Sequence, residues 1–250
     1  GRISAVVTER GPIACDSVIV AGGAWSGMFL RSMGVLLPQL HVISHVLRTS
    51  PVLDGPDTPV WCAGFAIRRR RDGGHTIANG SGNTVDIVPD SFRYGLRYLS
   101  ALREQRRELQ FRFGRAFWEA LRQPTRWPLD RETVFERRRI LDPAPSDKIL
   151  GGLLGEVRRA FPAMQAARVV QKWAGMIDVM PDAIPVISGV EAVPGLFVAT
   201  GFSGHGFGIG PAAGRLAADL VIGASPCVDP APFRMARFTD GSRIAPDQGL

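Results

Sequence analysis

The residues best placed to do chemistry lie between Thr200 and Pro211, where glycine recurs at 201, 204, 206, 208 and 210. An apolar run, Leu196 to Thr200, leads into this stretch, and Pro211 opens an Ala/Leu-rich segment ending near Gly223. The order reads as strand, backbone-exposing loop and helix N-terminus. Glycine permits positive φ and brings main chain against a ligand with no Cβ between them, while the free N–H groups and dipole of a helix start favour negative charge. An electron-rich or anionic ligand group is expected there, with His205 beside it as a hydrogen-bonding or proton-moving candidate. A second candidate contact is the small-residue turn Gly22-Gly23-Ala24 before Trp25 and Ser26, which follows the apolar run Ile13 to Val20. Such a turn at the C-terminal edge of an α/β sheet is where open folds of this kind bind ligands.

Three blocks carry a resemblance. The string Gly201-Phe-Ser-Gly-His-Gly-Phe-Gly-Ile-Gly-Pro-Ala-Ala213 resembles the C-terminal flavin-contacting segment of the FAD-dependent amine and amino-acid oxidoreductases, the superfamily of D-amino acid oxidase, sarcosine oxidase and glycine oxidase. Ser17 to Leu30 resembles that family's strand and turn ending in A-G-W-S, and Trp173 to Ser188 resembles its W-A-G … P-D-x-x-P-x-I block. The blocks keep the family's order over residues 1 to about 225.

The resemblance implies non-covalent FAD, with Gly22, Gly23, Ala24 and Trp25 at one contact and Gly201, Gly204, His205, Gly206, Phe207, Gly208 and Ile209 at the other. N–H groups in the second stretch would stabilise negative charge on the reduced ring. Sarcosine oxidases of this family link flavin through a cysteine in the third block; Gly175 stands at that position. Amino-acid oxidases often place an arginine four residues after the tryptophan to grip the substrate carboxylate. Ile177 stands there, so Arg48, with His45 assigned to the same face of the same strand, is the replacement candidate. A lysine over the flavin, which assists reaction with oxygen, is missing from His75 to Asn79, and the variant Ile177 to Asp182 looks closer to opine oxidase and dye-linked dehydrogenase subunits. A dehydrogenase passing electrons to another acceptor or subunit is the implied reading, oxidising the C–N bond of a secondary amine or amino acid to an imine. The alternative is an inactive remnant or non-catalytic subunit.

The family's N-terminal G-x-G-x-x-G turn has no counterpart before residue 40. Gly208-Ile-Gly210-Pro-Ala-Ala213 satisfies a loose G-x-G-x-x-A pattern, but it follows a long loop and has no downstream βαβ unit, so it is a chance match. The chain is therefore expected to be a C-terminal part of such an enzyme.

Composition excludes other classes. With 250 residues, 45% hydrophobic content and mean hydropathy +0.06, the chain can bury a core. No apolar run reaches the roughly 18 residues that span a bilayer. Net charge +7 raises a nucleic-acid reading. Against it, the only lysines are Lys148 and Lys172, and the arginines lie beside Glu104, Glu108 and Glu119 without interleaved aromatics, as on a solvated face. Cys15, Cys62 and Cys227 lack metal or redox spacing and point to a reducing, cytoplasmic setting. His41, His45, His75 and His205 form no metal-binding pattern, so no metal is expected.

The elements that must position these residues follow from periodicity. The expected fold class is α/β plus α+β, a discontinuous, partial Rossmann-like FAD-binding domain with an inserted sheet-and-helix substrate domain. Residues 1–40 and 174–225 are assigned to the first, 41–173 to the second and 226–250 to a tail. The chain should open in a β-hairpin, Ile3 to Thr8 against Ile13 to Val20. Trp25 to Met33 reads as a short helix closed by Gly34. His41 to Thr49, Val60 to Ile67, Gly74 to Asn79, Ala167 to Trp173, Ile184 to Ile187 and Leu196 to Thr200 read as strands. Ser91 to about Arg122 reads as an interrupted helix whose apolar face, Phe92 through Leu121, enters the core, and Asp147 to Ala160 as another helix.

Overall fold

The computed structural model describes residues 1–80, 82–105 and 109–244. Glu108, one of the acidic residues set against the arginines, and residues 245–250 lie outside it. The chain opens in the hairpin β1 (Ala5–Thr8) and β2 (Gly11–Ala14), which turns at Gly11 with φ +103°. The apolar run expected to be one strand divides at Asp16, and β3 (Val18–Val20) joins a different sheet. A single 3-10 turn, Gly23–Trp25, leads into α1 (Ser26–Ser32), followed by Gly34 at φ +79°.

Next comes β4 (Leu40–Thr49), then β5 (Val60–Trp61), β6 (Phe65–Arg69), β7 (His75–Asn79) and β8 (Asn83–Asp86). The helical segment follows as α2 (Pro89–Tyr94), a 3-10 turn over Gly95–Tyr98, and α3 (Leu99–Gln105). It is broken by β9 (Leu109–Arg112) before α4 (Arg115–Arg122). Leu109, Phe111 and Phe113 alternate with Gln110 and Arg112, a period of two that hid inside a spacing of four shared by Leu109, Phe113 and Phe117. The remaining elements are α5 (Val134–Arg137), α6 (Asp147–Ala160), β10 (Val169–Val179), β11 (Val186–Gly189), β12 (Leu196–Thr200) and α7 (Gly206–Ile222).

β4 organises a seven-stranded sheet. β10 pairs antiparallel with it from Val169–Thr49 to Val179–Leu40, while β7 and β8 share the other edge. Along β4 the side chains of Ile43, His45, Leu47 and Thr49 are buried in alternation, as a strand with one covered face requires. The cover is α6, whose Leu150, Leu153, Leu154 and Val157 pack with Leu47, Phe65, Ile67 and Ile77. Ser146 caps α6, its hydroxyl accepting from the Ile149 N–H at 3.4 Å. The opposite face carries Val42, Ser44, Val46 and Arg48, with Ile177, Gly175 and Trp173 facing them from β10 by register.

A smaller sheet, β11-β12-β3, has β12 parallel to β3. One face packs Val20, Leu196 and Val198 with Leu30, Leu37, Met180 and Phe238. On the other, Ile187 packs with Ala213, Leu216 and Ala217 of α7. Residues 226–244, read from sequence as part of a tail, thus contribute Phe238 to a core. The bigger departure concerns the aromatic face expected to be core. Phe92, Leu96, Phe113, Trp118 and Leu121 are exposed, and Phe117 holds the rings together at centroid distances of 6.3, 4.9 and 5.3 Å from Phe92, Phe113 and Trp118. Among the described residues no helix is long and apolar enough to cross a membrane.

Candidate functional site

Because β3 and β12 are parallel, the turn after Val20 and the loop after Thr200 leave the small sheet at the same, C-terminal edge. The two candidate cofactor segments therefore meet. Gly23, at φ +53°, presents its carbonyl to the Thr200 hydroxyl at 3.3 Å and to Gln39 Nε2 at 3.0 Å. The Ala24 carbonyl faces His41 Nε2 at 2.9 Å. Trp25 packs edge-on to Phe135 at 5.3 Å, which gives it a structural contact.

The glycine-rich stretch differs from its sequence reading in one respect. The loop is only Gly201 to His205, and α7 begins at Gly206, five residues before Pro211. Pro211 sits inside the helix and lacks the N–H that would bond the Phe207 carbonyl, while Gly208 and Gly210 are helical. His205 occupies the N-cap position, exposed, with no side-chain capping bond. Its carbonyl accepts from the N–H groups of Gly208 and Ile209 at 3.2 and 3.4 Å. The first amides of the helix, on Gly206 and Phe207, have no acceptor within it. Phe207 is fully exposed and Ile209 is also exposed, so both point away from the core.

The loop approaches the uncovered face of the large sheet. A Cβ on Gly204 would stand 3.9 Å from Ile177 Cγ2. At Gly23, Gly175, Gly208 and Gly210 an added Cβ would meet nothing within 4 Å, so main chain lines open space on both sides of this gap. That bare backbone fits a flat, electron-rich group, and the free amides of α7 fit one that gains negative charge. On the same sheet face a groove of about 280 Å³ runs over Trp61, Ala66, Thr76 and Ala78. A further cavity of about 700 Å³, lined by Ser50, Leu53, Arg168 and Val170, lies at the far end of β4 and β10, away from these segments.

The three residues considered for catalysis are not brought together. His45 and Arg48 are three residues apart on one strand, so they point to opposite faces, and the expectation that they share one is wrong by the two-residue period. His45 is buried under α6, its Nδ1 accepting from the Ser146 N–H and its Nε2 meeting the Thr84 hydroxyl, both at 3.2 Å. Burial, aided by Arg112, pushes its pKa down, and the neutral ring works as a structural bridge. Arg48 is on the uncovered face but six residues from Val42, the partner of Ile177, or roughly 20 Å along the strand.

Sequence reasoning missed the group that joins these segments. Asp178, next to last in β10, turns its buried carboxylate toward both loops: Oδ2 accepts from the Gly201 N–H at 2.8 Å and from Gln39 Nε2 at 3.0 Å, and lies 3.3 Å from the Thr200 hydroxyl, whose one proton it shares with the Gly23 carbonyl. Gln39 completes the link, its Oε1 accepting from the Gly27 N–H at 2.8 Å. The only signal was an acid at the end of an apolar strand. Tyr98 was also missed: its hydroxyl accepts from the Leu40 N–H at 3.1 Å and lies 2.8 Å from the Pro38 carbonyl and 2.5 Å from the Val179 carbonyl, with one proton to donate between them, tying the start of β4 to the end of β10. Burial pushes its phenol well above the usual tyrosine range.

A strand-turn and a strand-loop-helix side by side at the C-terminal edge of a sheet with parallel strands, facing a second sheet, are the arrangement of an α/β ligand-binding domain. The family model described as FAD dependent oxidoreductase matches residues 1–220, and the chain belongs to that family. It is 26% identical over 235 residues to glycine oxidase of Pseudomonas aeruginosa, covering 94% of this chain and 50% of that protein. To D-amino acid dehydrogenase of Allorhizobium ampelinum it is 25% identical over 248 residues, covering 96% and 44%. Among solved structures, L-amino acid deaminase from Proteus myxofaciens in complex with anthranilate superposes with TM-score 0.90 at 34% identity, over 96% of this chain and 53% of that one. The chain spans about half the length of the curated relatives it matches.

Proposed function

We propose that the chain forms the flavin-ring and substrate side of an FAD-dependent enzyme that oxidises the C–N bond of an amino acid or secondary amine to an imine, which water then hydrolyses. Residues 1–40 and 174–225 would hold the cofactor, and 41–173 would cover the substrate. The observation that carries this reading is the meeting of Gly23–Trp25 with Gly201–Gly206 opposite Ile177.

Bound FAD would supply the hydride acceptor. Gly22, Gly23, Ala24 and Trp25 would present main chain to it on one side, and Gly201, Gly204, His205, Gly206, Phe207, Gly208 and Ile209 on the other, with the amides of Gly206 and Phe207 opposing the negative charge gained on reduction. Val42, Val46 and Ile177 would exclude water from the substrate side. Glycine at 175 and the absence of cysteine nearby support non-covalent attachment. Thr76 and Ala78, on the strand where a lysine would face the ring, support an electron acceptor other than oxygen. The free Cys15, Cys62 and Cys227 fit a reducing compartment such as the cytoplasm.

The test is to purify the protein as its source makes it. It is expected to be yellow, to release the colour on acid precipitation, and to reduce an artificial dye with an amino acid while making little peroxide. Colourless protein overturns the reading, and colour retained in the pellet overturns non-covalent attachment.

A further inference from the structure

We propose that Asp178 is a positioning residue, one buried carboxylate that fixes the Gly23 turn and the Gly201 loop at the separation the flavin ring requires; this rests on the flavin reading above. Burying a carboxylate is costly unless its charge is compensated. The other two buried aspartates have a cation: Asp182 pairs with Arg237 and Asp219 with Arg215. Among the described residues no arginine or lysine bonds Asp178. Its compensation is two N–H donors converging on one oxygen, from Gln39 and Gly201, with the Thr200 hydroxyl 3.3 Å from both that oxygen and the Gly23 carbonyl and its single proton shared between them.

The arrangement is directional. Through Gln39 the carboxylate is linked to the Gly27 N–H and the Gly23 carbonyl, and directly it holds the Gly201 N–H. Gly23 and Gly201 both have positive φ, +53° and +78°, conformations that a loop does not keep by default even with glycine. One side chain from the large sheet thus sets both loops of the small sheet's edge, at the point where Ile177, its neighbour in β10, faces Gly204. An asparagine can keep the accepting oxygen in the Oδ2 position with its amide at Oδ1, which accepts from no donor among the described residues.

The experiment is residue-resolved hydrogen exchange on the chain without flavin, followed by FAD titration. Asp178→Ala should speed exchange of the Gly201 and Gly27 amides together by on the order of ten-fold, the worth of one hydrogen bond to a charged group. FAD affinity should fall by a similar factor. Asp178→Asn should rescue both. Gln39→Met should free Gly27 while leaving Gly201 protected, and should also weaken FAD binding, which keeps the test decisive if Asp178→Ala does not fold. Unchanged exchange at either amide in Asp178→Ala, or unchanged Gly27 exchange in Gln39→Met, overturns the clamp. Altered exchange with unaltered FAD affinity overturns its role toward the cofactor. A wild-type protein that binds no FAD refutes the flavin reading while the exchange arms still decide the clamp.

Discussion

Gly201 and Gly206 lie five residues apart yet answer to different constraints. At Gly201 the backbone is at φ +78° and a Cβ would overlap the Met180 side chain, so strain and steric conflict add. Gly201→Ala is expected to cost about 1–3 kcal/mol of folding stability, read as a lower urea midpoint with unchanged slope. At Gly206 a Cβ would stand 3.2 Å from Phe202 Cβ, a contact the exposed loop can relieve by shifting. Gly206→Val should therefore leave stability within about 1 kcal/mol while weakening FAD binding, since the shift moves the amides proposed to face the cofactor. Equal affinity for the valine variant and the parent would remove this loop from the cofactor site.

Within an element, burial decides what a titratable group does, and β4 carries two such groups. His41 and His45 both have pKa values pushed down, His41 by desolvation against the opposing pull of Ala24, Asp178 and Asp90, and His45 by desolvation and Arg112. Each stays neutral in the fold at a pH where the unfolded chain, with pKa near 6.5, already binds a proton. The unfolded state then holds more protons, so stability is full above about pH 6.5 and falls as pH drops toward 5, by at most about 1.4 kcal/mol per pH unit for each ring. Urea midpoints at pH 7.5, 6.5 and 5.5 should show this fall, and His45→Gln should reduce its slope below pH 6.5. A slope unaffected by that change would mean the ring is protonated in the native state.

The same strand shows what a sequence can and cannot disclose. Its extent was legible from alternation, as were α6 and β12, because propensity, caps and pattern agree there. The start of α7 was misread because Pro211 is favoured at a first turn, yet here sits where one carbonyl goes unpaired. The turn at Gly22–Gly23 and the loop from Gly201 were legible as loops from their glycine spacing. Asp178, Gln39 and Tyr98 were not, since each bonds main chain 12 or more residues away, and an isolated acid, amide or phenol carries no local pattern. Facing of His45 and Arg48 was legible by counting, and counting alone refutes their pairing.

At the scale of the whole molecule, two features fall outside any one element. The ring cluster Phe92, Phe113, Phe117 and Trp118 leaves an apolar surface uncovered. Patches of this kind drive association. Phe113→Ser with Trp118→Ser should lower binding of an apolar dye and any concentration-dependent association, with little change in the urea midpoint; undiminished dye binding would place the exposed apolar surface elsewhere.

The second feature fastens the C-terminal segment. Arg237 is buried and bonds Asp182 through Nε at 2.8 Å and a terminal nitrogen at 3.2 Å, while also donating to the Ile184 carbonyl at 2.7 Å and the Arg234 carbonyl at 2.9 Å. Asp182 in turn accepts from the Ile184 N–H at 3.1 Å, fixing the turn between β10 and β11. Phe238, stacked beneath the guanidinium at 4.2 Å, enters the core beside Leu196 and Val198. Removing the cation alone strands a buried carboxylate, so Arg237→Met should cost about 3–5 kcal/mol. Removing both charges should cost less, because no unpaired ion remains, and Asp182→Asn combined with Arg237→Met is expected to recover at least about 1 kcal/mol of that loss. Limited proteolysis gives an independent readout: cleavage between Gly223 and Ala231 should accelerate in Arg237→Met as the 3-10 turns at 231–233 and 235–238 detach. If the double variant is less stable than either single one and cleavage stays at the parent rate, the ion pair is not what holds this segment to the small sheet.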